Sequence, residues 1–335
     1  MKDKRPIDRK RESAGAADIG TKEDGAIIEM TKIGERLIVV KEKSIYEFMM
    51  ADEIDPERTN INLPNNIHKL IINQGAESEL VSRTFLTAKT LFKSEFFDSK
   101  IDVNKALTLS LEILPELSIL EKEISDFLTK VKQLSDDYED RRDKPVSYAI
   151  PSFGDIETRC KTIFQKADHF EQILIEIVTL FYPNLGLTKQ SHFPDFYDKI
   201  KDKYTEDDPF SKFLESTFSF MKYIRGFRNA FDHRLGTVTV FDFELQKDSN
   251  VLTPTFELKH KDVKLERQSI SDFLKLIIPN LVHIFENTIA YMSNKTFTPF
   301  LMASGVREIP EDKRRYKNVK YCFWAALGVG GYYNQ

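Results

Sequence analysis

Apolar and polar positions run along this chain in two rhythms, and the changes between them mark its elements. From Ala26 the residues "AIIEMTKIGERLIVVKEKSIYEFMM" form two β-rich stretches around "KIGE", which predict a hairpin. After "NLPNNIH" the spacing becomes helical. Ser78 to Phe97 reads as one amphipathic segment, and a longer helix is expected after Pro115. There Leu117, Leu120, Ile124, Phe127, Val131, Leu134 and Tyr138 recur alternately three and four apart, a coiled-coil-like seam. Such a seam can zip to a second copy, but packing against a neighbouring helix of the same chain is favoured. "DDYEDRRDKP" ends the helix, and "VSYAIPSFGD" marks the expected domain boundary.

After Gly154 a second helix carries Ile156, Cys160, Ile163, Ala167, Phe170, Leu174, Ile177 and Phe181 on one stripe and stops at "YPNLG". A looser stretch, "HFPDFYDKIKDKYTEDDP", leads to a further helix with Pro209 near its first turn. Beyond Gly236, "TVTVFDFELQ" and "TPTFELKH" alternate as two strands joined by "KDSN". Helix returns with "SISDFLKLIIPNLVHIFENTIAYMS", for which Ser269 or Ser271 is the cap. The pattern from Asn294 onward predicts only short strands. The expected organisation is a disordered arm over 1–25, an N-terminal α+β region over 26–150 for sensing, regulation or dimerisation, a helical domain over 151–293 with a β-hairpin at about 237–260, and a C-terminal extension over 294–335. The fold class is mainly α, and α+β overall.

Composition narrows the function classes. With 335 residues, 41% of them hydrophobic, the chain can bury two cores. A net charge of −4 excludes coating of nucleic acid by bulk positive charge, so any such contact must be local. Cys160 and Cys322 make no disulfide framework and fit a reducing compartment. The N-terminus lacks the apolar core of a signal peptide, and the apolar run "YCFWAALGVGG" falls well short of the roughly 20 residues of a bilayer span, so a cytoplasmic protein without membrane contact is expected. His68, His169, His192, His260 and His283 show no ligand spacing with one another or with a cysteine, so no metal is expected. No Gly-rich phosphate loop, G-x-S-x-G or H-E-x-x-H occurs, and no cofactor is expected.

The densest chemistry lies in "MKYIRGFRNAFDHRLG", Met221 to Gly236. At about 100° per residue, Phe220, Ile224, Phe227 and Phe231 form the core stripe, and Arg225, Asn229, Asp232 and His233 project opposite, with Arg228 on the flank. Asn229 and His233 are i, i+4 neighbours. Gly226 and Ala230 leave a shallow side along which another helix can approach.

"RNAFDH" is similar to the R-x4-H motif of HEPN-domain ribonucleases, in which a polar residue, frequently Asn, follows the Arg. The motif's place near the end of an amphipathic helix, after another long helix and before a β-excursion and a closing helix, agrees. The resemblance covers roughly 153–292. It implies a HEPN-like helical bundle and a metal-independent endoribonuclease acting in antiviral defence or as a toxin, with the site shared across a homodimer. Two copies would also relieve the separation of about 140° between Arg228 and His233 on one helix. The ribose 2′-OH is RNA's own nucleophile, so His233 suits general base or acid and Arg228 the phosphorane cation. Asn229 would orient His233 or hold the phosphate. Lys222, Arg225 and Arg234 are candidate contacts to flanking RNA phosphates. Products would carry 2′,3′-cyclic phosphate and 5′-hydroxyl ends. In some HEPN toxins a tyrosine two residues after the histidine is modified by a partner nucleotidyltransferase; Leu235 stands there, so that control is not expected. An antitoxin or trigger ligand acting through the N-terminal region is.

Plainer readings stand beside these. His233 can simply cap the helix C-terminus, and Arg228 can pair with Asp232 on the surface. "KADHFEQ", with Asp168, His169 and Glu171, can lend Glu171 or His169 to the site or be a solvated face, the favoured reading. A different class of function is a catalytically silent HEPN-like module that binds a nucleotide or a protein partner.

Overall fold

The computed structural model describes residues 4–13, 17–141, 149–188, 190–233, 238–328 and 330–335, without the His233 side chain. About half of the chain is helical and 19% lies in strands, which places it in the α+β class. Two compact units form: Met1–Pro115 with Pro299–Gln335, and Glu116–Thr298 between them.

In the first unit a short helix α1 (Pro6–Glu12) precedes strands β1 (Ile27–Ile33), β2 (Arg36–Lys41) and β3 (Ile45–Met50), a turn of helix α2 (Ala51–Ile54), and β4 (Asn66–Ile72). The strands make an antiparallel meander in sequence order. The hairpin expected at "KIGE" is present, turning at Gly34, whose φ of 58° suits glycine. The stretch expected to become helical after "NLPNNIH" is instead the strand β4: its central residues are exposed at the sheet's edge, so it lacks the apolar alternation that would reveal a strand. Helices α3 (Glu79–Val81) and α4 (Thr87–Leu91) are joined by one π turn over Ser82–Leu86, where the single amphipathic segment was expected. Its buried hydroxyls bond backward, Thr84 to the carbonyl of Leu80 and Thr87 to that of Ser82, and the second of these spans the wider turn.

Helix α5 (Val103–Glu139) starts earlier than expected and passes through Pro115 rather than beginning beyond it. The two units divide at that proline, inside a helix, and not near residue 150. The far seam is buried at Leu117, Leu120, Ile124, Phe127, Val131 and Tyr138. Phe127 stacks on Phe153 at 4.6 Å, and Tyr138 donates to the Ser249 carbonyl at 3.1 Å, so this face packs within the chain. The stretch that contains Pro145 lies mostly outside the described residues.

The second unit continues with α6 (Ile156–Phe181), α7 (Phe193–Tyr204) and α8 (Pro209–His233). Strands β5 (Val238–Phe241), β6 (Glu244–Leu245), β7 (Val251–Leu252), β8 (Thr255–His260) and β9 (Val263–Ser269) follow, and α9 (Ile270–Thr296) closes it. All eight residues of the expected α6 stripe are buried. Where a simple hairpin was expected, β5, β8 and β9 form a three-stranded antiparallel sheet and β6 pairs with β7. Ser269 caps α9 by accepting the Asp272 N–H at 3.2 Å. An aromatic core joins these elements: Phe227 of α8 lies 4.4 Å from both Phe164 of α6 and Phe256 of β8, and Phe256 lies 5.4 Å from Phe273 of α9.

The segment beyond α9 returns to the first unit as β10 (Ser304–Glu308), β11 (Tyr321–Ala325) and β12 (Tyr332–Asn334). Within that unit the Tyr316 hydroxyl donates to Glu29 at 2.6 Å and Lys93 to Asn334 at 2.8 Å, which hold the returning chain against β1 and the segment just after α4. Among the described residues no helix is long and apolar enough to cross a membrane.

Candidate functional site

Helix α8 buries Phe210, Leu214, Met221, Ile224 and Phe227, so its polar residues are forced onto the remaining arc. Gly226 is not available to a second helix as expected, whereas Ala230 lines an open cleft. A methyl group at Gly226 would lie 3.0 Å from Leu258 Cδ2 and 3.2 Å from Val263 Cγ1, because β8 and β9 already cover that side.

The polar arc meets helix α6. Beside its expected stripe α6 has a second buried one, Phe164, Asp168, Glu171, Ile175 and Val178, at helical spacing. Two acids therefore sit inside the unit, and the reading of "KADHFEQ" as a solvated face fails for both, because α6 is packed on two sides. Asp168 is only 1% exposed and holds both arginines of the motif: Arg225 Nη1 lies 3.1 Å from Oδ1 and Arg228 Nε 3.3 Å from Oδ2. Gln172 Nε2 donates to Oδ2 at 2.7 Å. A buried carboxylate needs such compensation, and the arginines, 25% and 29% exposed, gain a fixed direction while still reaching solvent.

Arg228 also lies 3.1 Å from Asp232 Oδ2, the i, i+4 pair of the plainer reading, and donates through Nη1 to Asn229 Oδ1 at 3.1 Å. Asp232 in turn accepts from Gln165 at 2.8 Å and meets Lys161 at 3.2 Å. Burial alone would raise the Asp232 carboxyl, but the Gln165 and Lys161 contacts and the charge of Arg228 outweigh it and hold it below the usual carboxylate range. Arg225, Arg228 and Lys161 against Asp168 and Asp232 leave three cations facing two anions. Beside Lys161 an open cleft of about 420 Å³ is lined by Glu157, Ala230, Phe231 and Val238. Arg225, Arg228, Asn229 and Asp232 thus converge on one polar patch.

Other expected site residues do not join it. Lys222 pairs with Asp262 across to the start of β9. His169 is half-exposed and faces Glu116 at 3.3 Å. Glu171 is buried but turns toward the start of α7, where Oε1 accepts the Phe193 N–H at 2.7 Å. The His233 imidazole and Arg234 lie outside the described residues.

Compared with protein-family models, curated proteins and solved structures, the chain matches none. The site therefore rests on its own geometry. Spacing along the sequence singled out the α8 residues but missed Asp168 as their anchor. The available signal was an acid standing at i+4 from Phe164 and i−7 from Ile175, in a row that is otherwise apolar.

Proposed function

We propose that this chain is a metal-independent endoribonuclease of HEPN type, acting from the polar patch at the end of α8, in antiviral defence or as a toxin. The observation that supports it is the clamp: a buried Asp168 fixes Arg225 and Arg228 side by side, about two turns and one and a half turns before His233. Arg228 would stabilise the charge that develops on the phosphorane, and Arg225 would meet a neighbouring phosphate. His233 would move the proton of the ribose 2′-OH or of the leaving 5′-oxygen. Asn229, already bonded to Arg228, would set that guanidinium against the scissile phosphate. With β8 and β9 covering Gly226, a second protomer would approach along the stripe of Lys222, Arg225 and Asn229, bringing the two motifs together.

Incubation with RNA in EDTA tests this. Cleavage leaving cyclic-phosphate ends is expected, reduced by at least about 100-fold in His233→Ala and in Arg228→Ala. Equal cleavage by the parent and both variants would refute the assignment. A second reading is favoured by the two carboxylates that share Arg228 Nε, since a guanidinium so held can serve as a structural fastener. On that reading the unit is a silent helical module that binds a nucleotide or protein partner, and no cleavage occurs.

A further inference from the structure

The acid one turn along from Asp168 has no settled partner set. Glu171 is fully buried, yet only its Oε1 is hydrogen-bonded, and Oε2 has no partner. An ionised carboxylate left in that condition is costly. Facing it is His192, whose side chain is 18% exposed and whose buried Nδ1 makes no hydrogen bond, at 3.4 Å from Glu171 Oε1. Donor atoms of Asp168, Glu171 and His192 all lie within 4.8 Å of one another. Two donors about 2.1 Å from a tetrahedrally held ion lie roughly 3.4 Å apart, so a pair as far apart as 4.8 Å has up to about 1.4 Å to close.

We propose that Asp168, Glu171 and His192 bind a divalent transition-metal ion. One imidazole and two carboxylates suit zinc and manganese. The ion takes up the orphan lone pair of Glu171 Oε2 and that of His192 Nδ1. Asp168 is the contested ligand, because its oxygens already serve Arg225, Arg228 and Gln172. Metal entry therefore weakens the hold on both arginines, and the ion adjusts the patch on α8 from behind without touching RNA. Without metal, His192 Nδ1 and Glu171 Oε1 simply face each other at 3.4 Å as a side-chain contact, and that is the competing account.

Isothermal titration of the EDTA-stripped, desalted full chain with zinc chloride, and separately with manganese chloride, decides between them. Saturable binding of at least one ion at one per chain is expected. His192→Ala and Glu171→Gln should each weaken it by at least about tenfold, while His169→Ala, an exposed neighbour, leaves it unchanged. Circular dichroism checks the fold of each variant. If Glu171→Gln does not fold, His192→Ala decides alone, since the His192 backbone N–H, which Asp195 accepts at 2.8 Å, is kept. No binding of either ion by the parent, or undiminished binding by His192→Ala, would overturn the proposal. Because the readout is heat and not cleavage, either result leaves the nuclease reading to its own test.

Discussion

Replacing Asp168 with asparagine tests whether the clamp on the two arginines stabilises the fold. The change keeps the side-chain shape and one oxygen acceptor but removes the charge that faces Arg225 and Arg228. Taking the partner from a fully buried charge costs about 3–5 kcal/mol. The guanidiniums here are 25% and 29% exposed and regain part of their water, and the asparagine oxygen still accepts from one of the three donors. That lowers the expected loss to about 2 kcal/mol. For a unit the size of Glu116–Thr298, this corresponds to a fall in melting temperature of about 4–8 °C. Far-UV circular dichroism is the appropriate probe, since the unit is largely helical and the single tryptophan, Trp324, belongs to the other unit. A melt within about 1 °C of the parent would show that the ion pairs contribute nothing net and would refute the clamp as a source of stability.

Gly226→Leu forces a side chain into the contact with Leu258 and Val263 and should cost about 2 kcal/mol in urea unfolding; unchanged stability would mean that β8 and β9 can move away. Burial pushes the thiols of Cys160 and Cys322 up to about 12, so neither should react with a thiol reagent at neutral pH until the chain is denatured, when both do. In the first unit, burial alone would raise the Glu29 carboxyl, but the Tyr316 hydroxyl and Lys89 hold it below the usual range. A lowered native value contributes stability above the unfolded pKa of about 4.3 and loses it as pH falls through the native one. Tyr316→Phe should therefore cost about 1.5 kcal/mol at pH 7, and the difference from the parent should narrow in acid; a gap independent of pH would count against it.

How far the sequence foretold the fold depended on where each element's partners lay. Helix α6 was legible because Ile156 through Phe181 repeat at helical spacing over seven turns. The β1–β2 hairpin was legible because its strands are joined locally through Gly34. Strand β4 and strand β9 were not. Both lie at sheet edges, where solvent meets their backbone and a weaker apolar alternation suffices, as in "VKLERQS" with exposed Lys264 and Glu266. Pro115 misled because a proline opens helices more often than it interrupts them, whereas α5 has already run about three turns before it. In the candidate site, the cluster on α8 is a local pattern and was visible. Its anchor Asp168 and the approach of His192 to Glu171 depend on how α6, α7 and α8 pack, which spacing along one segment does not encode.

The division at Pro115 and Pro299 makes the second unit an insertion: its residues emerge from the ribosome as one uninterrupted stretch, whereas the first unit waits for β10, β11 and β12. Domains fold as units as they are synthesised. Here the later-starting unit is complete first, and the earlier one waits for the separate sheet of β10, β11 and β12. The interval before Ser304 is thus the stage of biosynthesis at which Glu29 and Lys93 still lack Tyr316 and Asn334, their partners from the returning chain.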